Sequence, residues 1–285
     1  MKTLVYYNVG FNSNYNKILE LSLMSLKMNY DGDILIITDY ENSLTLKKNK
    51  LYENVDFMII DKATDVFISA LNRVLIYKYD KFYNYDAILY LDCDTTVINS
   101  LDSIFSETIK NNCVAISQEI NDLGKPIFMI EQGLVWNIPH ISNYWGLFLY
   151  EDKTEDKKAL NSGVFCLPAT KKSKEVFNDM YVRATNDHKD VNYLKINKDY
   201  GEQPYINYFL QKHSYFFCIT DVYFVYVAKD PEIDSTLNSL KDYYLFDRYV
   251  KDYPILHFVG PEWGSFELKY ERMFNVFPKK IKNII

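Results

Sequence analysis

The sequence predicts an α/β fold: a Rossmann-like, mostly parallel central sheet flanked by helices, with a smaller lobe in the C-terminal half. Three observations predict it. Over the first hundred residues, strand-like apolar runs alternate with helix-periodic stretches. Strands separated by helices return to their sheet as parallel neighbours. With 285 residues, 48% of them hydrophobic and 16% aromatic, the chain has the material to bury a substantial core.

The elements follow in order. TLVYYNV at 3–9 reads as a first strand, and the periodic stretch from Tyr15 to Met28 as a helix that Ser13 or Asn14 would cap. DILIITD at 33–39 and VDFMIID at 55–61 read as the next strands. A helical pattern from Thr64 to Phe82 precedes AILYLD at 87–92. Beyond residue 106 the pattern loosens. CVAISQ at 113–118 reads as a strand, 127–150 is a long aromatic stretch, and EDKTEDKK at 151–158 reads as an exposed loop. GVFCLP at 163–168 is a further strand, with helices at 171–186 and 203–211. With no internal repeat and no flexible linker, two halves, 1–105 and 106–285, are expected to share one continuous core.

Bulk chemistry narrows the function. A net charge of −6 argues against broad nucleic-acid binding, which needs a surplus of surface Lys and Arg. The four cysteines are scattered and form no Cys-x-x-Cys pair, as expected for reduced residues of a cytoplasmic protein. MKTLVYYNVG does not resemble a signal peptide, and no segment approaches an uncharged apolar stretch of membrane-spanning length. The tail PKKIKNII at 278–285 interleaves basic and apolar residues, so a solvated terminus or a weak peripheral membrane contact would fit it.

The most chemistry lies in YLDCDTTV at 90–97. Side chains one residue apart in a strand point to opposite faces, so Asp92 and Asp94 reach one ligand only where the strand ends and bends. Ligands bind beyond the carboxyl ends of strands in open α/β sheets, and two carboxylates there suit a hard divalent cation such as Mn²⁺ or Mg²⁺. The end of the first strand, Tyr7, Asn8, Val9 and Gly10, is a natural place for a nucleotide base or ribose. No Gly-x-Gly-x-x-Gly or Walker loop is present, which leaves phosphates to a metal. His257 follows the apolar run YPIL, where a neutral imidazole at a strand end would complete a carboxylate-rich site.

Four segments stand in a fixed order: YLDCDTTV at 90–97, NSGVFCLPAT at 161–170, YGEQPYINYFL at 200–210 and ILHFVGPEWG at 255–264. Together they resemble the family 8 retaining glycosyltransferases, the group of glycogenin and bacterial lipopolysaccharide galactosyltransferases. That resemblance implies a GT-A fold, with residues 1–105 binding a nucleotide sugar and 106–285 forming the acceptor-side and catalytic half. It implies that Asp92, Asp94 and His257 hold a Mn²⁺ bridging the phosphates of a UDP-sugar. Asn161 matches the residue that touches the donor sugar, and Gly163 would allow close backbone approach there. Gln203 matches a Gln near the anomeric carbon, and Glu202 stands where the family usually has Asp. Arg73 resembles a basic residue that contacts the donor, with Lys78 the competing candidate.

The implied activity is transfer of a hexose, glucose or galactose, from a UDP-sugar to a carbohydrate or protein acceptor. One departure stands out. After the metal His the family commonly carries His-x-x-Gly-x-x-Lys, whose Lys reaches the diphosphate; Gly260 is kept, but Trp263 stands at the Lys position. Lys269 or another base would then substitute, or the protein is a degenerate member that binds UDP-sugar or glycan without turnover.

Overall fold

The computed structural model describes residues 1–10, 12–118, 158, 160–189, 202–226, 253–259, 270, 273 and 274. The strands of the first half are β1 (Thr3–Asn8), β2 (Asp33–Asp39), β3 (Val55–Ile60), β4 (Ala87–Leu91) and β5 (Thr95–Val97). Those that follow are β6 (Val114–Gln118), β7 (Leu160–Pro168), β8 (Phe216–Ile219), β9 (Val222–Tyr226) and β10 (Ile255–Val259). Around them lie the helices α1 (Asn14–Asn29), α2 (Tyr40–Leu46), α3 (Val66–Leu71), α4 (Asp102–Asn111), α5 (Lys171–Lys189) and α6 (Gln203–Lys212).

Seven strands form one sheet in the order β3-β2-β1-β4-β7-β6-β8. All run parallel except β7, which is antiparallel to both β4 and β6. From β1 the chain builds outward through β2 and β3, and then β4 returns to the other flank of β1. The strand order therefore reverses between β1 and β4, and the crevice beyond their carboxyl ends is where a doubly wound sheet offers a ligand site. The reversal of β7 matters equally, because it brings the start of that strand beside the end of β4: Leu91 pairs with Val164, and Asp92 N donates to Gly163 O at 2.8 Å.

Both faces of the sheet are covered, which explains why its strands read as continuous apolar runs. Side chains alternate along each strand. Val5, Tyr7, Ile34, Ile36, Leu89 and Leu91 face one core with α1 and α4. Leu4, Tyr6, Leu35, Ile37, Ile88 and Tyr90 face another, filled by α5, α6 and the residues of a 3₁₀ turn at Asn72–Lys78. A second sheet, β5-β10-β9, pairs β10 antiparallel to β5 and parallel to β9. It sets His257 opposite Thr95, next to the aspartate pair.

Several sequence expectations need correction. The helix expected over 64–82 is broken: α3 ends at Leu71, and the chain continues as 3₁₀ turns at Asn72–Lys78 and Phe82–Asn84. Asp65 caps α3, its carboxylate accepting from Ile68 N at 2.9 Å. Neither Ser13 nor Asn14 caps α1 by its side chain; Asn12 Oδ1 instead accepts from Asn14 N. The strand expected at 163–168 begins earlier, at Leu160, and is the antiparallel member of the sheet. The aromatic stretch at 127–150, the charged run before Lys158 and the tail at 278–285 lie outside the described residues. No described helix is long and apolar enough to cross a membrane.

Candidate active site

β4 ends at Leu91 and the chain turns at once, Thr95 donating back to Asp92 O from both N (3.2 Å) and Oγ1 (2.8 Å). The turn brings both aspartates to one side, and Phe258 N, donating to Asp94 O at 2.9 Å, ties β10 to it. The result joins three residues far apart in sequence. His257 Nε2 lies 3.3 Å from Asp94 Oδ1 and 3.6 Å from Asp92 Oδ2. One ligand atom from each of Asp92, Asp94 and His257 falls within 4.8 Å of the others, and no other described residues form such a group. Two carboxylate oxygens and an imidazole nitrogen suit a hard or borderline divalent cation.

Gly163 forms the floor of this group. A Cβ there would sit 2.1 Å from His257 Cε1 and 2.7 Å from Asp92 Oδ2, so only glycine lets β7 pass under these two side chains.

Arg73 links the centre to α6. Its Nη1 lies 3.2 Å from Asp92 Oδ1, and its Nε lies 3.1 Å from Glu202 Oε1. The Nε–H, however, donates to Ala70 O at 3.1 Å, so Glu202 Oε1 is near a charge without receiving an oriented hydrogen bond. Glu202 is buried, 2% exposed, and burial pushes its carboxyl up from the ordinary value while Arg73 holds it back. Burial by itself would lower the Arg73 guanidinium, but the carboxylates of Asp92 and Glu202 outweigh it and raise its pKa. Lys78 is elsewhere, with its ammonium over the rings of Tyr77 and Tyr181.

Gln203 opens α6, and its placement has a clear cause. Gln203, Asn207 and Gln211 recur every four residues, about 6 Å along a helix axis, and meet β7-side residues two apart, about 6.7 Å along a strand. Gln211 Oε1 and Nε2 pair with Lys158 N and O, and Asn207 Oδ1 and Nδ2 pair with Leu160 N and O. Gln203 Oε1 accepts from Ser162 N and Oγ, both at 3.1 Å. A backbone N–H can only donate, so the carbonyl end of the Gln203 amide is the end turned to Ser162. Asn161 points its Oδ1 at Gly163 N, 2.9 Å away, shaping the same strand entry.

At the end of β1, Asn8 donates to Ser69 O at 2.7 Å and lines a small cleft with Gly10, Asp39, Ser69 and Asn72. Cys93 Sγ approaches Asn8 O at 3.5 Å, so this cleft adjoins the aspartate turn. Tyr7 does not reach the cleft by its side chain: it is wholly buried on the α1 face, and its hydroxyl accepts from Ser22 Oγ at 3.0 Å. Strand parity, not position along the chain, sends it into the core. Gly260, Trp263 and Lys269 lie outside the described residues.

The sequence matches no family profile and no curated protein, but solved structures share its architecture. The galactosyltransferase LgtC, solved with donor and acceptor sugar analogues, superimposes with a TM-score of 0.59 at 14% identity, covering 99% of this chain and 100% of LgtC. The chain has the GT-A fold. The bifunctional glycosyltransferase WbbM (TM-score 0.56, 16% identity) and GlyE of Streptococcus pneumoniae (TM-score 0.54, 17% identity) share it. Each is likewise covered over 99% of this chain, which spans 50% of WbbM and 62% of GlyE. Within this GT-A fold, residues that spacing alone would not select now stand at the site. Ser162 binds both Gln203 and Arg73, whose Nη1 donates to Ser162 O at 3.3 Å. The amide repeat at 203, 207 and 211 was visible in the sequence as three polar residues on one face of an otherwise apolar helix.

Proposed function

We propose that the chain is a metal-dependent retaining glycosyltransferase that moves a hexose, glucose or galactose, from a UDP-sugar to a carbohydrate or protein acceptor. The observation that carries this reading is the meeting of Asp92, Asp94 and His257 over Gly163 at the sheet's switch point. The donor set fits Mn²⁺, with Mg²⁺ the alternative, and a cation held there would stabilise the charge developing on the departing diphosphate.

The chain's own groups divide the remaining work. Asn8, with Asp39 and Ser69 in the adjoining cleft, would take the base and ribose, so that residues 1–105 hold the nucleotide and 106–285 present the acceptor. Glu202 Oε1, buried and lacking an oriented donor, would accept a hydroxyl of the donor sugar, because a buried carboxylate oxygen is costly to leave unmet. Arg73 would hold Asp92 and Glu202 in place between metal and sugar. Asn161 and Gly163 would keep the strand entry thin enough for the sugar to lie against backbone. Gln203 would flank the reacting carbon as a dipole. Retention would then proceed by front-side attack of the acceptor, with Glu202, the buried acid near the centre, given over to the sugar hydroxyl.

A second reading rests on Trp263 standing where the resemblance calls for Lys: a degenerate protein that binds UDP-sugar or glycan without turnover. Measuring UDP release from UDP-glucose and UDP-galactose with and without Mn²⁺ separates the two. The first reading expects metal-dependent release that drops roughly 10³-fold in Asp92→Asn and Asp94→Asn, the scale of losing a metal's several kcal/mol. Calorimetry showing metal-dependent UDP binding with no release from any donor favours the second.

A further inference from the structure

We propose that Tyr90 is a positioning residue of the metal centre, its hydroxyl occupying Asp92 Oδ1 so that Oδ2 is the oxygen presented to the cation. This rests on the metal site proposed above. Tyr90 and Asp92 are two residues apart at the end of β4 and so share a face, the one that carries Arg73, Ser162 and α6. Tyr90 Oη donates to Asp92 Oδ1 at 2.5 Å, the separation of a charge-assisted O–H···O⁻ bond. Arg73 Nη1 lies 3.2 Å from the same oxygen and donates at 3.4 Å to Oδ2, so Oδ1 carries the short bond from Tyr90 while Oδ2 carries only the long one from Arg73. Asp92 Oδ2 is the oxygen that faces the imidazole, 3.6 Å from His257 Nε2.

The hydroxyl is held there by its ring. Tyr90 is 1% exposed, stacked on Phe165 with centroids 4.9 Å apart, 5.0 Å from the Tyr6 ring, and covered by the Arg73 guanidinium 5.0 Å from its centroid. No swing of χ1 frees it without breaking this packing. Turning the Asp92 carboxylate to use Oδ1, or both oxygens, would strip a buried hydroxyl of its acceptor. Tyr90 therefore fixes Asp92 as a one-oxygen ligand. Outer partners of ligating carboxylates typically change metal affinity by about 10- to 100-fold when removed.

The chemistry predicts a change in kind as well as degree. A carboxylate free to bind with both oxygens suits Ca²⁺, which accepts six to eight flexible ligands, better than the smaller cations that demand near-octahedral geometry. The test is titration of the full chain with Mn²⁺ and with Ca²⁺, followed by calorimetry, for the wild type and Tyr90→Phe. The proposal expects Mn²⁺ affinity to fall roughly 10-fold in the variant while the Ca²⁺-to-Mn²⁺ affinity ratio rises, a shift that loss of packing would not produce. Should Tyr90→Phe not fold, a chain carrying 3-fluorotyrosine at position 90 keeps the ring and hydroxyl and makes the phenol a stronger donor, and its Mn²⁺ affinity should differ from the wild type's. Wild-type binding with an unchanged affinity and ratio in the altered chains overturns the role of Tyr90 alone. A wild type that binds no divalent cation overturns both this role and the metal site beneath it.

Discussion

Two helices grip the sheet strands beside the aspartate turn, and they do so with the same device on opposite faces. On one face α1 sets Ser22, Ser25 and Asn29 against β5: Ser22 Oγ meets Thr95 Oγ1 at 3.1 Å, Ser25 Oγ accepts from Val97 N at 2.9 Å, and Asn29 Nδ2 donates to Val97 O at 3.0 Å. On the other, α6 sets Gln203, Asn207 and Gln211 against the entry into β7, at Ser162, Leu160 and Lys158. The α1 ladder ends in the core, where Ser22 also donates to Tyr7. The α6 ladder ends at Ser162, which donates to Gln203 and accepts from Arg73 beside Asp92. One ladder fixes Asp94 indirectly by fixing β5; the other reaches Asp92 through Ser162 and Arg73. Polar residues at helical spacing thus dock a helix in both cases, and only the sheet face and the strand end decide whether the docking residue also reaches the candidate site.

Breaking the centre shared by both ladders should have the largest effect. Gly163→Ala drives a Cβ against His257 and Asp92, so Mn²⁺ binding by calorimetry should be lost and UDP release should fall roughly 10³-fold. A functional ladder differs from a structural one if removing a middle rung disturbs the site. Asn207→Ala leaves Leu160 N and O unpaired in the interior, and should cost about 2–4 kcal/mol in denaturant unfolding while also lowering the turnover rate, because Glu202 and Gln203 shift with the helix. The structural ladder should show the opposite pattern. Ser25→Ala removes the acceptor for Val97 N and should cost about 1–2 kcal/mol, with donor KM unchanged in those molecules that fold.

The smallest effect concerns pH. Burial raises the Glu202 carboxyl in the folded state, so the folded protein holds this proton more tightly than the unfolded chain. The stability it contributes is full below the ordinary glutamate range and is lost as pH rises toward the raised folded value. Glu202→Gln removes that loss, so its melting temperature relative to wild type should climb as pH rises above about 4.5, while UDP release falls. A difference that stays flat with pH would contradict the burial argument.

Much of this was legible in the sequence, for identifiable reasons. The buried strands declared themselves as apolar runs because both sheet faces are covered, and the Asp-x-Asp stood out because it ends such a run. His257 was legible as the residue after YPIL, and Gly163 as a glycine opening an apolar strand. Tyr7 was misplaced because parity along a strand says that neighbours diverge but not which face holds the site. Arg73 was preferred, but Lys78 stayed a competitor because the segment was read as one helix; the change to a 3₁₀ turn at Asn72 alters which side chain faces Asp92. The reversal of β7, which brings Ser162 and Gly163 to Asp92, is a property of topology that no local pattern encodes.

The central claim is that Asp92, Asp94 and His257 hold a divalent cation against a diphosphate. The most direct measurement is a crystal structure of the protein with Mn²⁺ and UDP, using anomalous scattering to locate the metal. The account predicts one manganese peak within bonding distance of Asp92 Oδ2, an Asp94 carboxylate oxygen and His257 Nε2, touching the UDP phosphates. A map with no peak there and the imidazole still paired directly with Asp94, as at the present 3.3 Å, would contradict it.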